Sequence, residues 1–161
     1  MPSSPLAHLN ALGIPYEAVE FPATIEKGVA AVAQALGDRF RPRQVVKCLL
    51  FETSTHEVVL VLVGGDQNVV SGQLKKAVGD RNVRMASPER IREVTGGYEV
   101  GAIPPFSWQP PGFRTFLERS LMQEPILAVG AGTWGQELVV TPHDLIRAAS
   151  AIPIDLTGAG S

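Results

Sequence analysis

Lys47 stands inside the apolar run Val45-Val46-Lys47-Cys48-Leu49-Leu50-Phe51. An ammonium group there is costly unless it meets water, a polar cleft or a partner. Two readings stay open: a lysine on the solvent face of a half-buried strand, or a pocket lysine that holds a phosphate or polarises a carbonyl. The segment Thr95–Trp108 packs Gly96, Gly97 and Gly101, the adjacent prolines Pro104 and Pro105, and the aromatics Tyr98, Phe106 and Trp108 into a stretch without helical or strand periodicity. Glycine lets a ligand approach the backbone closely, whereas the two prolines stiffen the end of the segment. That composition suits the wall of a pocket and equally an ordinary turn between strands; the aromatics either line the pocket or pack beneath it. A second cluster, Gly130-Ala131-Gly132-Thr133-Trp134-Gly135, comes after an apolar strand. Such a turn can aim backbone N–H groups at an oxyanion, and it matches neither a P-loop nor a dinucleotide fingerprint.

The remaining reactive side chains point less clearly to chemistry. Cys48 has apolar neighbours and is expected to be a small buried hydrophobe rather than a nucleophile. As the chain's single cysteine it excludes an intrachain disulfide and a multi-cysteine zinc site. His8, His56 and His143 share no metal-ligand spacing and read as surface residues. Glu118 and Glu137 end and begin strands; both could serve a site, and surface placement is expected for each. No G-x-S-x-G elbow is present.

The elements that must position these groups are set by periodicity and punctuation. Ser3 or Ser4 caps a helix through about Leu12, with Pro5 in its first turn and Gly13 closing it. Tyr16–Phe21 reads as a strand, and Thr24 as the cap of a helix over Ile25–Leu36 that ends at Gly37. Gln44–Glu52 and Val58–Val63 make a hairpin around the polar turn Thr53–His56, and Gly64-Gly65-Asp66 breaks its second strand. Helices are expected over Val70–Val78 and Pro88–Thr95, with a strand at Asn82–Ala86 between them. Three further strands (Phe113–Leu117, Ile126–Gly130, Glu137–Thr141) precede a helix over Pro142–Ala149. Irregular helices among strands, with an antiparallel hairpin, favour an α+β fold with a mixed, largely antiparallel sheet or barrel.

The chain has 161 residues, 45 % hydrophobic and 19 % charged, which suits one globular domain that buries roughly 68–70 % of its unfolded surface. We expect that domain over 1–157, with a flexible tail at 158–161. A net charge of −2 provides no global basic field. DNA is therefore not an expected partner, and any nucleic-acid contact must be local. Met-Pro-Ser-Ser-Pro shows no signal peptide and no run of 18 apolar residues exists, so no membrane association and a cytoplasmic location are expected.

Together the landmarks resemble the YbaK/ProX family of aminoacyl-tRNA deacylases, relatives of the editing domain inserted in bacterial prolyl-tRNA synthetases. The likeness rests on the Thr24–Gly37 helix, the Val-Val-Lys-Cys-Leu-Leu-Phe strand, Gly64-Gly65-Asp66, Val-Arg-Met-Ala-Ser, the G-x-x-x-P loop from Gly101 to Pro105, and Thr141-Pro142-His143-Asp144-Leu145. It implies a mixed α+β sandwich or barrel around a small pocket. The implied activity is trans-editing: hydrolysis of the ester that joins a wrong amino acid, commonly alanine or cysteine, to the proline tRNA. The implied partners are the 3′ acceptor end of aminoacyl-tRNA and prolyl-tRNA synthetase. In this resemblance Lys47 contacts the phosphate or carbonyl end of the substrate, and Gly101 with Ala102, Ile103 and Pro105 positions the carbonyl. Gly130, Ala131 and Gly132 form the substrate-binding turn. A ribose hydroxyl of the terminal adenosine orients the water, so no protein base, metal or cofactor is required. Gly130 stands where some relatives have serine, Glu137 where some have aspartate, and Ala102 where glycine is frequent, which leaves the amino-acid preference open. The alternatives are a non-catalytic module of the same fold that binds a tRNA end or a synthetase, and a small-molecule esterase.

Overall fold

The computed structural model describes residues 4–158. The chain runs α1 (Pro5–Leu12), β1 (Glu17–Glu20), α2 (Val29–Ala35), β2 (Val46–Thr53), β3 (Val58–Gly64), α3 (Ser71–Val78), β4 (Val83–Met85), α4 (Pro88–Thr95), β5 (Thr115–Glu118), β6 (Leu127–Gly130), β7 (Gln136–Val140), α5 (Pro142–Ala149) and β8 (Ala151–Ile154). Short 3-10 turns lie at Gly37–Arg39, Pro42–Gln44 and Arg119–Gln123. Among the described residues the strands form two open sheets, one of order β4-β2-β3-β5-β8 and one of order β1-β7-β6. The expected α+β class holds, as one mixed and one antiparallel sheet rather than a closed barrel. The β2–β3 hairpin is antiparallel, β3–β5 and β5–β8 are parallel, and the smaller sheet is antiparallel throughout. A single parallel bridge, Val45 to Ala128, links the two sheets.

Every residue of β3 is buried. Leu60 and Leu62 enter the main core with Leu9, Phe106, Trp108 and Leu145, whereas Val59, Val61 and Val63 pack against Leu74, Val78 and Leu156. A strand covered on both faces reads as a continuous apolar run. The aromatic question raised by the central loop is thereby answered: Phe106 and Trp108 belong to the core. Trp108 Nε1 donates to the Pro104 carbonyl at 2.6 Å, which ties the indole to the proline pair.

The capping expectations largely hold. Ser4, Ser87 and Thr141 each accept a hydrogen bond from the backbone three residues on, with proline next in each case. Ser3 and most of the tail, 159–161, lie outside the described residues.

Two expectations need correction. The second helix begins at Val29 rather than Ile25, behind Gly28 at φ +137, and Thr24 caps nothing. The preceding residues are held by tertiary bonds instead, with Trp134 Nε1 donating to the Ala23 carbonyl at 3.0 Å. β8 goes beyond the strands expected, because Pro153 weakens any strand pattern. As the edge strand paired only to β5, β8 tolerates the missing N–H. No helix in the described residues is long and apolar enough to cross a membrane.

Candidate active site

A cavity of about 630 Å³ opens between the first half of β2, the start of α2, the loop at Val100–Ile103 and the β6–β7 sheet. β4 pairs with β2 only from Phe51 to Thr53, so the earlier part of β2 has a free edge, and that edge faces the cavity.

Alternation along β2 puts Val46, Cys48 and Leu50 toward the main core, and Leu49 and Phe51 toward the α3 side. Lys47 shares the second face by the period of two, and is half-buried at the cavity wall. Its Nζ donates to the Gln67 carbonyl at 2.5 Å, which leaves two ammonium protons for a ligand. Burial lowers the Lys47 pKa, and the Asp66 carboxylate partly opposes this. Gln67 is itself buried, with both of its side-chain polar atoms engaged. Its Oε1 accepts from Gly64 N at 2.8 Å, and its Nε2 donates to Ser120 Oγ at 3.0 Å. Ser120 Oγ donates in turn to Glu118, whose other oxygen accepts from Leu156 N at 2.8 Å and Thr157 N at 3.1 Å. Glu118 is therefore buried and not the surface residue expected. Burial pushes its carboxyl pKa up, but the hydrogen bonds from Ser120, Leu156 and Thr157 outweigh it and the net shift is downward. A polar chain thus runs from the C-terminal segment through the core to the cavity lysine.

The opposite wall is built by two loops that cannot be separated. Gly101, at φ +95, and Ile103 line the cavity. Ala102 N–H is spent on the Glu99 carbonyl at 3.1 Å, and Gly132 N–H on the Ala102 carbonyl at 2.9 Å. The N–H groups of Gly101 and Ile103 have no acceptor within the described residues. They are unspent donors on a loop that lines the cavity. A methyl group at Gly130 would lie 2.5 Å from the Ile103 carbonyl oxygen, so the absence of a side chain there is what lets the loop close on the turn.

Of the residues expected at the site, Lys47, Gly101, Ile103 and Gly130 line the cavity. Ala102, Pro105 and Ala131 are buried behind it, and Gly132 packs against the Tyr98 ring. The expectation for the histidines needs one correction, since His8 is half-buried: it stacks on Phe106 at 5.6 Å, and its Nε2 lies 2.7 Å from the Ala148 carbonyl oxygen. His56 and His143 are exposed.

Three further polar or aromatic side chains line the cavity: Lys27 and Trp134, which sequence reasoning did not place there, and Glu137, which it allowed at a site but expected on the surface. Lys27 and Trp134 meet at the wall, with Nζ 5.6 Å from the ring centroid. Glu137, expected on the surface, is only 7 % exposed. Its carboxyl has no hydrogen-bond or ion-pair partner among the described residues, and burial raises its pKa to about 8. The same burial pushes the neighbouring Cys48 thiol well up, with the Glu137 charge adding to it, which leaves that thiol inert as a nucleophile. One signal was available: Glu137 alternates with Leu138, Val139 and Val140 in a strand apolar on both faces, so neither face offered it water. Among the described residues no group of three His, Cys, Asp or Glu side chains could hold a metal ion.

What remains is a largely apolar cavity lined by Lys27 and Lys47, by the Gly101–Ile103 loop with two unspent N–H groups, and by the buried Glu137 carboxyl. Such a site can bind a compact ester, stabilise negative charge on its carbonyl oxygen and admit a water molecule.

Comparison with known proteins bears on that chemistry. The model of the aminoacyl-tRNA editing domain matches residues 26–148. The chain is 28 % identical over 109 residues to the multifunctional Ser/Thr-tRNA deacylase ProXp-y of Escherichia coli strain K12, covering 63 % of this chain and 60 % of that protein. It is 34 % identical over 55 residues to the proline–tRNA ligase of Aquifex aeolicus, covering 34 % of this chain and 10 % of the ligase. The aligned stretches thus span less than two thirds of either relative. A solved structure of a candidate trans-editing enzyme for prolyl tRNA synthetase superposes with a TM-score of 0.83 at 29 % identity, over 95 % of this chain and 94 % of that one.

Proposed function

Because the chain belongs to the aminoacyl-tRNA editing domain family, we propose that it is a trans-editing hydrolase that deacylates mischarged aminoacyl-tRNA. The observation that carries this reading is the pair of free N–H groups, Gly101 and Ile103, on the wall opposite a lysine with two uncommitted protons. The substrate class is supported by the E. coli relative, a Ser/Thr-tRNA deacylase, and by the trans-editing structure. An ester of alanine or cysteine on the proline tRNA is the proposed substrate, and prolyl-tRNA synthetase is the proposed partner. Cytoplasm, where tRNA is charged, is the proposed compartment.

In this mechanism the unpaired acceptor end enters the cavity, which needs no broad basic face. The ester carbonyl lies against Gly101 and Ile103. Water, oriented by the free hydroxyl of the terminal ribose, adds to the carbonyl carbon, and the oxyanion that forms is held by the two N–H groups. Collapse of the adduct breaks the bond to the ribose oxygen, which takes up the proton that the water gives up. The amino acid and the tRNA hydroxyl leave. Lys47 holds the phosphate or carbonyl end, and Gly130 with Ala131, Gly132, Ala102 and Pro105 keeps the loop in register. Editing is needed because a binding pocket separates small side chains by only about 1–3 kcal/mol per methylene.

Release of labelled amino acid from proline tRNA charged with alanine, cysteine, serine or proline tests this reading. Release of one or two non-cognate residues with proline spared is the expected result, and Lys47→Ala should lower single-turnover hydrolysis roughly 10²–10³-fold. If no charged tRNA is hydrolysed by the folded protein, the activity falls and a binding module of the same fold takes its place.

A further inference from the structure

Ester hydrolysis by the two N–H donors and Lys47 leaves one buried group without a task. Glu137 lies in the cavity wall, only 7 % exposed, among apolar side chains and with no partner for its carboxyl in the described residues. An unpartnered buried polar group costs free energy that a fold ordinarily avoids. Replacing it by leucine would relieve that cost, so its presence in the wall calls for a ligand.

Its position identifies the part of the substrate it meets. Glu137 pairs directly with Gly130 across β6 and β7, so their side-chain directions share one face of the sheet. A methyl group on Gly130 would point at the Ile103 carbonyl oxygen, 2.5 Å away. The loop that supplies the Gly101 and Ile103 donors therefore sits on the face from which the Glu137 side chain projects. Gly130, having no side chain, does not screen the carboxyl from that loop. A carboxyl in this place lies beside the ester carbonyl, and the only cation an aminoacyl ester carries there is the ammonium on the α-carbon, two bonds from the carbonyl carbon. Phosphate is disfavoured at a carboxyl by charge, and the cations that line the cavity are Lys27 and Lys47.

We propose that Glu137 is a specificity-determining residue that takes the α-ammonium group of the bound aminoacyl ester, so that the site accepts esters with a free amine and rejects N-acylated ones. The proposal rests on the deacylase reading of the cavity. It requires that a free amine matter regardless of the side chain, since the carboxyl is assigned to the part common to all amino acids. The ion pair forms equally from carboxylate with ammonium or from the neutral acid with the free amine, because both routes hold the same single proton.

The test is equilibrium binding of non-hydrolysable 3′-aminoacylamido-3′-deoxyadenosines to the full chain. Alanyl and seryl forms would be compared, each with a free and an acetylated amine, on the native protein, Glu137→Gln and Glu137→Asp. Native protein should prefer the free amine at least tenfold, and Glu137→Gln should weaken the free-amine ligands roughly 10- to 100-fold while leaving the acetylated ones unchanged. Glu137→Asp should restore part of the preference. Equal binding of free and acetylated forms by native protein would overturn the proposal and leave the deacylase reading standing. A loss in Glu137→Gln confined to the seryl ligand would also overturn it, since the carboxyl would then read the side chain. Amine preference without any hydrolysis of charged tRNA would uphold the proposal and remove the catalytic reading. If no ligand bound, both would fall. Thermal melting of the variants guards against misfolding, and Glu137→Gln should be no less stable than the native protein.

Discussion

Glu137 ties stability to pH in a direction opposite to most carboxylates. Its pKa stands at about 8 in the folded protein against an ordinary 4.5, because burial disfavours the charged form. Between those values the unfolded chain has released the proton and the folded chain still holds it. Stability from this group is therefore complete below about 4.5 and is lost as pH rises through 8, by up to about 1.4 kcal/mol per pH unit. The titratable groups near it are the Cys48 thiol, which stays protonated, and the lysines Lys27 and Lys47 that line the same cavity. Glu137→Gln removes the titration. Denaturant midpoints of the variant and the native protein should match most closely near pH 5 and diverge in favour of the variant toward pH 8. A constant gap across that range would show that the carboxyl is not buried as described. Glu118 shows the opposite case: equally hidden, it accepts four hydrogen bonds and so remains charged. Burial alone does not set the protonation of a carboxyl; the donors around it decide.

At the level of elements, the site depends on a loop and a turn that fit because Gly130 has no side chain. Gly130 has no positive φ, so backbone freedom is not the reason. The reason is the Ile103 carbonyl oxygen, 2.5 Å from where a Cβ would be. Gly130→Ala must push the Gly101–Pro105 loop away and break the Gly132 to Ala102 hydrogen bond that closes it. An overpacked core position costs about 1–3 kcal/mol, so the melting temperature should drop, and hydrolysis should fall further than stability because the donors move. A Gly130→Ala protein with native turnover would separate the loop from the chemistry. Gly65 shows the same kind of contact on the other side. A methyl group there would lie 1.9 Å from Val29 Cγ1, so the strand break after β3 admits the start of α2. The glycines that matter here are contact residues between elements.

For the whole molecule, charge sets how much of a nucleic acid it can grip. The net charge is −2, and of the arginines and lysines only Lys27 and Lys47 line the cavity. Many of the arginines are held by carboxylates, among them Arg39 by Glu17, Arg84 and Arg90 by Glu52, and Arg114 by Glu57. Single-stranded phosphate contacts contribute a slope of about −0.7 each in log affinity against log salt. A footprint of two lysines on the acceptor end should give a slope near about −1.4 for intact charged tRNA. A slope steeper than about −4 would mean that the tRNA body lies on a surface outside the cavity.

The sequence by itself determined most of the elements and their order, because capping serines, strand periods and glycine breaks are local signals; β8 and the start of α2 escaped it. It also singled out Lys47, which the structure puts at the cavity wall, since a charge inside Val-Val-Lys-Cys-Leu-Leu is conspicuous in any fold. It could not show that Glu137 and Glu118 are both buried, or that only one of them has donors. It could not show that Phe106 and Trp108 pack in the core while Trp134 lines the cavity, nor that β8 completes the sheet edge. Those outcomes depend on contacts between residues far apart in the chain: Gly130 against Ile103, Glu118 against Leu156, Trp134 against Ala23. Burial, and with it the protonation and the task of a side chain, is a property of the packed whole, and only the tertiary structure decided it.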